Sequence, residues 1–152
     1  MELRLRPKKS DYMLQADTEA LYVLTEHWNT DIDFYKDELK FLEDVIEEHF
    51  LWIIQSGKMP LVQVLKEQIG EAKTEVRKLD EQIKKHLMHL EELMENAFTH
   101  DEQKFREEHE KLEEKFGAFV KFFRELKTNL YSTVKDGIDK EKRKYLQNGV
   151  SE

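Results

Sequence analysis

Two histidines three residues apart, His86 and His89, lie in the segment KKHLMHLEEL. Residues at this spacing lie on the same side of an α-helix, so both imidazoles can reach one metal ion. Further along the chain, His109 precedes Glu113 by four residues, which places a carboxylate on the same helical face as an imidazole. Imidazole nitrogens and carboxylate oxygens form a suitable donor set for zinc or iron. The chemistry that these residues could support is therefore the binding of one metal ion.

The histidines fall within three segments, 18–55, 61–97 and 101–145, whose apolar residues recur at alternating steps of three and four. This spacing is typical of one face of an α-helix, and its period near 3.5 favours left-handed, coiled-coil-like packing. The turns QSGKMP and FTHDEQKF are short, so consecutive helices should lie antiparallel. The sequence predicts an all-α protein, an elongated antiparallel three-helix bundle, with an extra short N- or C-terminal helix as a variant.

The predicted domain organisation follows from the ends of these segments. Residues 1–17 form an N-terminal arm, residues 18–145 a single helical-bundle domain, and residues 146–152 a disordered C-terminal tail. Gly57 suits the C-terminal cap of the first helix, and Pro60 suits the first turn of the second. Asp17 or Thr18 is the candidate N-cap for the first helix.

An antiparallel bundle with turns near residues 57 and 99 predicts which positions share a layer. His86 lies near residue 29 of the first helix and near residue 112 of the third. Within one turn, this layer gathers four of the six histidines: His27, His86, His89 and His109. His86 and His109 occupy positions where the apolar pattern requires an inward side chain.

The candidate metal ligands in this layer are His86, His109, Glu113, His89 and Asp31. No Glu-x-x-His motif is present, which disfavours a di-iron bundle of the ferritin-like kind. The alternative is a structural polar layer, in which a buried neutral imidazole is hydrogen-bonded to Glu113 or Asp31 and fixes the helical register.

A second feature is the segment 50–65, FLWIIQSGKMPLVQVL, which is apolar nearly all round. Trp52, Ile54 and Val62 are predicted to point away from the helical face that carries the regularly spaced apolar residues. Phe122 widens the corresponding apolar face of the third helix. Exposed apolar patches of this kind mark interfaces. The four side chains are candidate interface residues, to be covered by the chain's own termini or by a second subunit.

The composition of the chain excludes or disfavours several classes of function. The chain has no cysteine, no glycine-rich phosphate loop and no calcium-loop spacing. Its net charge is −8, and residues 18–56 carry ten acids and two bases, which disfavours nucleic-acid binding. No segment approaches the roughly 20 apolar residues that span a membrane, so a cytoplasmic location is expected.

These observations predict a non-enzymatic helical-bundle protein without a cofactor, which acts in protein–protein interaction or self-association as a homo-oligomer. The alternative function is a metal-binding bundle that holds one zinc or iron ion in its His/carboxylate layer.

Overall fold

A computed structural model describes residues 7–95 and 102–150 of the chain. Four helices make up this part: α1 (Pro7–Glu48), α2 (Phe50–Gln55), α3 (Met59–Glu95) and α4 (Glu102–Val150). None of the described residues lies in a β-strand, and the prediction of an all-α three-helix bundle is confirmed. No helix in the described ranges contains a stretch long and apolar enough to cross a membrane.

The turn between α2 and α3 forms as the sequence predicts. Gly57 adopts a φ of +80°, a left-handed conformation that glycine enters without a Cβ penalty. The Gly57 amide donates to the Ile54 carbonyl at 2.9 Å and the Lys58 amide to the Ile53 carbonyl at 3.2 Å, so the last carbonyls of α2 are capped. Pro60 lies in the first turn of α3, where its missing N–H is not needed.

Both outer helices are longer than predicted. The predicted start at Thr18 is wrong, because α1 begins at Pro7 and Thr18 is a buried residue within it. α4 continues to Val150, so the described part of the predicted tail is helical. Residues 7–17 of α1 and 146–150 of α4 include few helix-breaking residues. Pro7 is at the first helical position, where proline is favoured. Residues 98–101 of the predicted turn FTHDEQKF lie outside the described residues.

The helices divide into two compact units. Unit 1 contains residues 7–34 of α1, residues 77–95 of α3 and residues 102–117 of α4. Its buried apolar side chains come from all three helices: Trp28, Ile32, Leu79, Ile83, Leu90, Leu93, Phe105, Leu112 and Phe116. Cross-helix contacts of His86 with His109 and of His89 with Phe105 show that α3 and α4 are antiparallel here.

Unit 2 contains Tyr35–Val76, with α2 and the turn, and residues 118–150 of α4. Its buried apolar side chains again come from every helix: Leu39, Leu42, Val45, Ile46, Ile53, Val62, Leu65, Ile69, Ala72, Val76, Phe119, Phe123, Leu126, Leu130 and Val134. Gly137 is a helical residue of α4 and is packed against α2. A Cβ there would lie 3.5 Å from the Ile53 backbone, which is ordinary van der Waals contact.

Candidate functional site

The core of unit 1 contains two buried histidines, His86 on α3 and His109 on α4. Both occupy positions of the apolar repeat, since His86 follows Ile83 and precedes Leu90 on the buried face of α3. The helical pattern therefore directs both imidazoles inward, as the sequence predicts. Buried polar groups need hydrogen-bond partners, and one bond between these two side chains satisfies two of their four ring nitrogens.

A chain of hydrogen bonds runs from Glu108 through His86 to His109. Nδ1 of His86 lies 3.1 Å from Oε1 of Glu108, and Nε2 of His86 lies 3.0 Å from Nδ1 of His109. A carboxylate only accepts, so Nδ1 of His86 carries a hydrogen and donates it. In the neutral imidazole Nε2 is then the acceptor, and Nδ1 of His109 donates to it. The neutral pair therefore has one consistent arrangement, with the Nδ1–H tautomer on both rings.

This arrangement leaves one ring nitrogen without a partner. Nε2 of His109 is buried and makes no hydrogen bond, and in the Nδ1–H tautomer it carries a lone pair. The nearest carboxylate oxygen that faces it is Oε2 of Glu113, at 3.9 Å, which is beyond hydrogen-bond distance. The ring of His109 stacks on Trp28 of α1, with centroids 4.8 Å apart and planes 19° apart.

Burial is the main influence on the pKa of both imidazoles. Desolvation lowers the pKa of His86, while the hydrogen bond and the charge of Glu108 oppose this shift. Desolvation likewise lowers the pKa of His109, His86 lowers it further, and the Glu113 carboxylate raises it. Both rings therefore favour the neutral form, which is the form to which the hydrogen-bond directions given above apply.

The other predicted ligands lie at the margin of this layer. His89 is half-exposed, and its Nδ1 lies 3.0 Å from Oε1 of Glu108, so Glu108 accepts from two histidines. Asp31 is exposed on α1, and Glu113 is exposed beside His109. Within residues 7–95 and 102–150, no group of three or more His, Cys, Asp or Glu side chains is arranged to hold a metal ion. Metal binding by these residues stays a prediction.

Glu108 is the hydrogen-bond partner of His86 and His89 that the sequence analysis missed. The adjacent acids Glu107 and Glu108 look like part of a solvated helical face. Glu108 nevertheless flanks the inward-facing His109, and it borders a groove between α3 and α4 together with Gln82, Lys85, Lys111, Leu112 and Lys115. A carboxylate next to an inward histidine in the heptad pattern is the signal that points to it.

The apolar segment 50–65 gives a second candidate surface, in unit 2. Trp52 is exposed, while Ile54 and Phe122 are half-buried. Val62 is buried in the core, so its assignment to an outward-facing surface was wrong, and Leu61 is exposed in its place. The reason is the phase of α3, whose buried face passes through Val62 and Ile69 rather than through Leu61 and Gln68.

We call the exposed part of this segment the apolar end surface. It consists of five large apolar side chains: Leu51, Trp52, Met59, Leu61 and Val64. Their exposed fractions range from 40% for Trp52 to 68% for Leu51, so none is covered by the rest of unit 2. Ile53 and Val62, which alternate with them along the chain, fill the core beneath.

Searches against protein-family models, curated proteins and solved structures found no match to this chain.

Proposed function

We propose that this protein is a non-enzymatic interaction module that associates with a second copy of itself through the apolar end surface. The observation that carries the proposal is the concentration of five exposed, large apolar side chains within residues 51–64. Scattered surface leucines are ordinary, but a group of this size is characteristic of an interface. Together the five side chains expose on the order of 500 Å².

Charge favours a second copy as the occupant. Residues 49–66 contain no acidic side chain, although the whole chain has a net charge of −8. Two such ends can therefore meet without the repulsion that opposes contact between two acidic α1 helices. A twofold arrangement places the same surface on both subunits, and this requires a surface that is compatible with itself.

The C-terminal part of α4 can add electrostatic attraction between the two subunits. Asp136 pairs with Lys58 at the turn, with 2.7 Å between the carboxylate oxygen and Nζ, and α4 continues from there to Val150. That extension is roughly 20 Å long at 1.5 Å per residue. It contains the basic run KEKRK, 140–144, whereas residues 35–48 of α1 carry six acids and two bases. In a dimer the basic extension of one subunit can lie against the acidic α1 of the other.

The area indicates a dimer of moderate strength. Stable interfaces bury roughly 800 Å² on each partner, of which a large share is apolar. The apolar end surface supplies more than half of that area, and the helical extension of α4 supplies polar rim. We expect a dissociation constant in the micromolar range, because interfaces at the lower end of the size range are weak or transient.

The test is light scattering coupled to size exclusion over a range of protein concentrations. The wild-type protein should approach twice the 18.4 kDa mass of one chain as the concentration rises. Leu51→Lys and Val64→Lys each place a charge on this surface and should return the mass to that of a monomer. Met88→Lys is the matched control, because Met88 is 60% exposed on α3 but belongs to unit 1.

A wild-type protein that stays monomeric at all concentrations would refute self-association, and so would a Met88→Lys variant that dissociates as readily as Leu51→Lys. Salt provides an independent measurement. Contact between the basic extension and acidic α1 predicts weaker dimerisation at high ionic strength, and Arg143→Glu should weaken the dimer and remove most of that salt dependence. A dimer with no salt dependence contradicts the role given to the extension.

A further inference from the structure

The groove between α3 and α4 in unit 1 carries a concentration of positive charge. Its volume is about 170 Å³, and six side chains line it: Gln82, Lys85, Glu108, Lys111, Leu112 and Lys115. Three of the six are lysines, although the whole chain has a net charge of −8. A cleft lined mainly by charges of one sign concentrates the electrostatic potential and attracts ligands of the opposite sign.

The three groove lysines are available to a ligand. Lys58 and Lys127 form ion pairs with carboxylates of other helices, at 2.7 and 2.9 Å. By contrast, Lys85, Lys111 and Lys115 form no ion pair with any residue in the described ranges 7–95 and 102–150. All three are exposed, so their ammonium groups can turn towards an anion in the groove without first breaking a salt bridge.

The single carboxylate of the groove is held by histidines. Oε1 of Glu108 lies 3.1 Å from Nδ1 of His86, and Nδ1 of His89 lies 3.0 Å from Oε1 and 3.2 Å from Oε2. A carboxylate only accepts, so both of its oxygens receive hydrogen bonds from ring nitrogens. Three lysines and one glutamate leave the lining of the groove with a net charge of +2.

We propose that this groove binds a small polyanion of the diphosphate type, which Lys85 contacts from α3 and Lys111 and Lys115 contact from α4. Lys111 and Lys115 are one helical turn apart, about 6 Å along the axis, so they can contact neighbouring phosphoryl groups of one ligand. Lysine suits this role because its flexible stem carries a compact charge with three N–H donors. The amide of Gln82 adds a neutral donor for a phosphoryl oxygen.

The size of the groove favours a small ligand. Pockets for drug-sized molecules enclose roughly 300–1,000 Å³. The groove, at about 170 Å³, is smaller, and none of its six lining side chains is an aromatic ring on which a nucleobase could stack. The ligand is therefore free diphosphate, or a diphosphate group at the end of a larger molecule whose remainder lies in solvent.

The test is calorimetric titration of the full chain with sodium diphosphate at low ionic strength. We expect saturable binding of one ligand per chain with a dissociation constant below about 1 mM. Inorganic phosphate should bind at least about tenfold more weakly, because it cannot contact all three lysines at once. Added sodium chloride should weaken the binding of both anions, because the lysines are exposed and their charges are screened.

Substitutions test the assigned residues. Lys111→Gln and Lys115→Gln should each weaken diphosphate binding about tenfold, because each removes one charged hydrogen bond. Glu108→Gln should strengthen binding severalfold, because it removes the repelling charge at nearly the same size, and a loss of folding cannot produce such a gain. Lys142→Gln is the matched control, because it removes the same charge from the other basic cluster, residues 140–144, and should leave the affinity within about twofold.

ADP distinguishes the two sources of the diphosphate group. Binding at least as tight as that of free diphosphate assigns the groove to a diphosphate carried by a larger molecule, and weaker binding assigns it to the free anion. Amide spectra locate the site in either case, and the diphosphate-induced shifts should concentrate in residues 82–89 and 108–115.

Three results would overturn the proposal. The first is the absence of saturable binding up to about 10 mM diphosphate. The second is a Lys142→Gln variant that loses as much affinity as Lys111→Gln, or amide shifts confined to residues 140–144, because the site would then be the end of α4. The third is a Glu108→Gln variant that binds diphosphate more weakly than the wild-type protein.

Discussion

Replacing the two buried histidines by leucine, singly and together, should give strongly non-additive stabilities. The basis is the number of buried ring atoms that each variant leaves without a hydrogen-bond partner. The wild-type pair has one, Nε2 of His109. His86→Leu removes the acceptor of the His109 Nδ1–H and so raises the number to two. Because an unpaired buried donor costs about 1–3 kcal/mol, this variant should be less stable by roughly 2 kcal/mol.

His109→Leu leaves the number unchanged. It removes the unpaired Nε2 of His109 but takes the donor away from Nε2 of His86. The expected loss is about 1 kcal/mol, mainly from the ring stack on Trp28. In the double variant no buried ring atom of this pair remains, and leucine has nearly the volume of histidine. Its stability should equal or exceed that of the wild-type protein, as is common when buried polar groups are replaced together by apolar ones.

The assay is urea unfolding at pH 8, followed by the helical circular-dichroism signal, with thermal unfolding in parallel. A loss of 2 kcal/mol corresponds to a fall in Tm of about 4–8 °C for a chain of this length. The coupling energy between the two sites should be about 3 kcal/mol or more. His89→Leu is the control, since His89 is half-exposed and Glu108 keeps its bond to His86; its effect should stay within about 1 kcal/mol. A double variant that is less stable than His86→Leu would refute the assigned hydrogen-bond chain.

Three other properties follow from the structure. Because burial lowers the pKa of His86 and His109, the unfolded chain binds more protons than the folded one between those lowered values and about pH 6.5. The free energy of unfolding should therefore fall as the pH drops through this window, and the double leucine variant should show a smaller slope in pH-dependent urea unfolding. Protein purified without a tag or chelator should contain less than about a tenth of an equivalent of zinc or iron by elemental analysis, because no group of three or more ligand side chains within the described residues is arranged to hold a metal ion. Near-stoichiometric metal that raises the Tm would support the alternative function. Gly137→Ala should raise stability by about 0.5–1 kcal/mol, because its Cβ fits at ordinary contact distance within a helix, whereas Gly57→Ala should lower stability because φ is +80° there. Thermal unfolding compares the two variants, and an equal effect of the two substitutions would contradict this reasoning.

The fold is predictable from the sequence because apolar residues recur at regular spacing along each helix. The turn QSGKMP is also recognisable, because it contains residue types with known preferences for helix ends. Gly57 and Pro60 mark the turn between α2 and α3, and both act as predicted. The start of α1 was mispredicted because Thr18 resembles an N-cap but serves as a buried residue in a longer helix. A capping residue type reports only a local preference, and packing along the bundle overrides it.

The burial of His86 and His109 was also predictable, because each interrupts an apolar repeat. Their shared layer was predictable too, whereas their carboxylate partner Glu108 was not, since contacts at the edge of a helix interface depend on register to within one turn. The sequence analysis placed His86 opposite residue 112, whereas it contacts His109, one turn earlier on α4. That difference brings Glu108 into contact with His86. The misplacement of Val62 has the same origin, a shift of one residue in the phase of α3.

The polar pair also determines which register α3 and α4 can adopt in unit 1. If α4 slid by one heptad, His86 would face Phe116 and His109 would face Leu93, so each imidazole would be buried against hydrocarbon with its nitrogens unpaired. At about 1–3 kcal/mol for each unpaired atom, that alternative is disfavoured by several kcal/mol. An all-apolar seam lacks this discrimination, because leucine packs acceptably against either neighbour. The double leucine variant should therefore combine unchanged or higher stability with a less unique packing of α3 against α4, visible as broadened amide resonances in unit 1. Sharp resonances throughout that variant would mean that the surrounding apolar side chains alone fix the register.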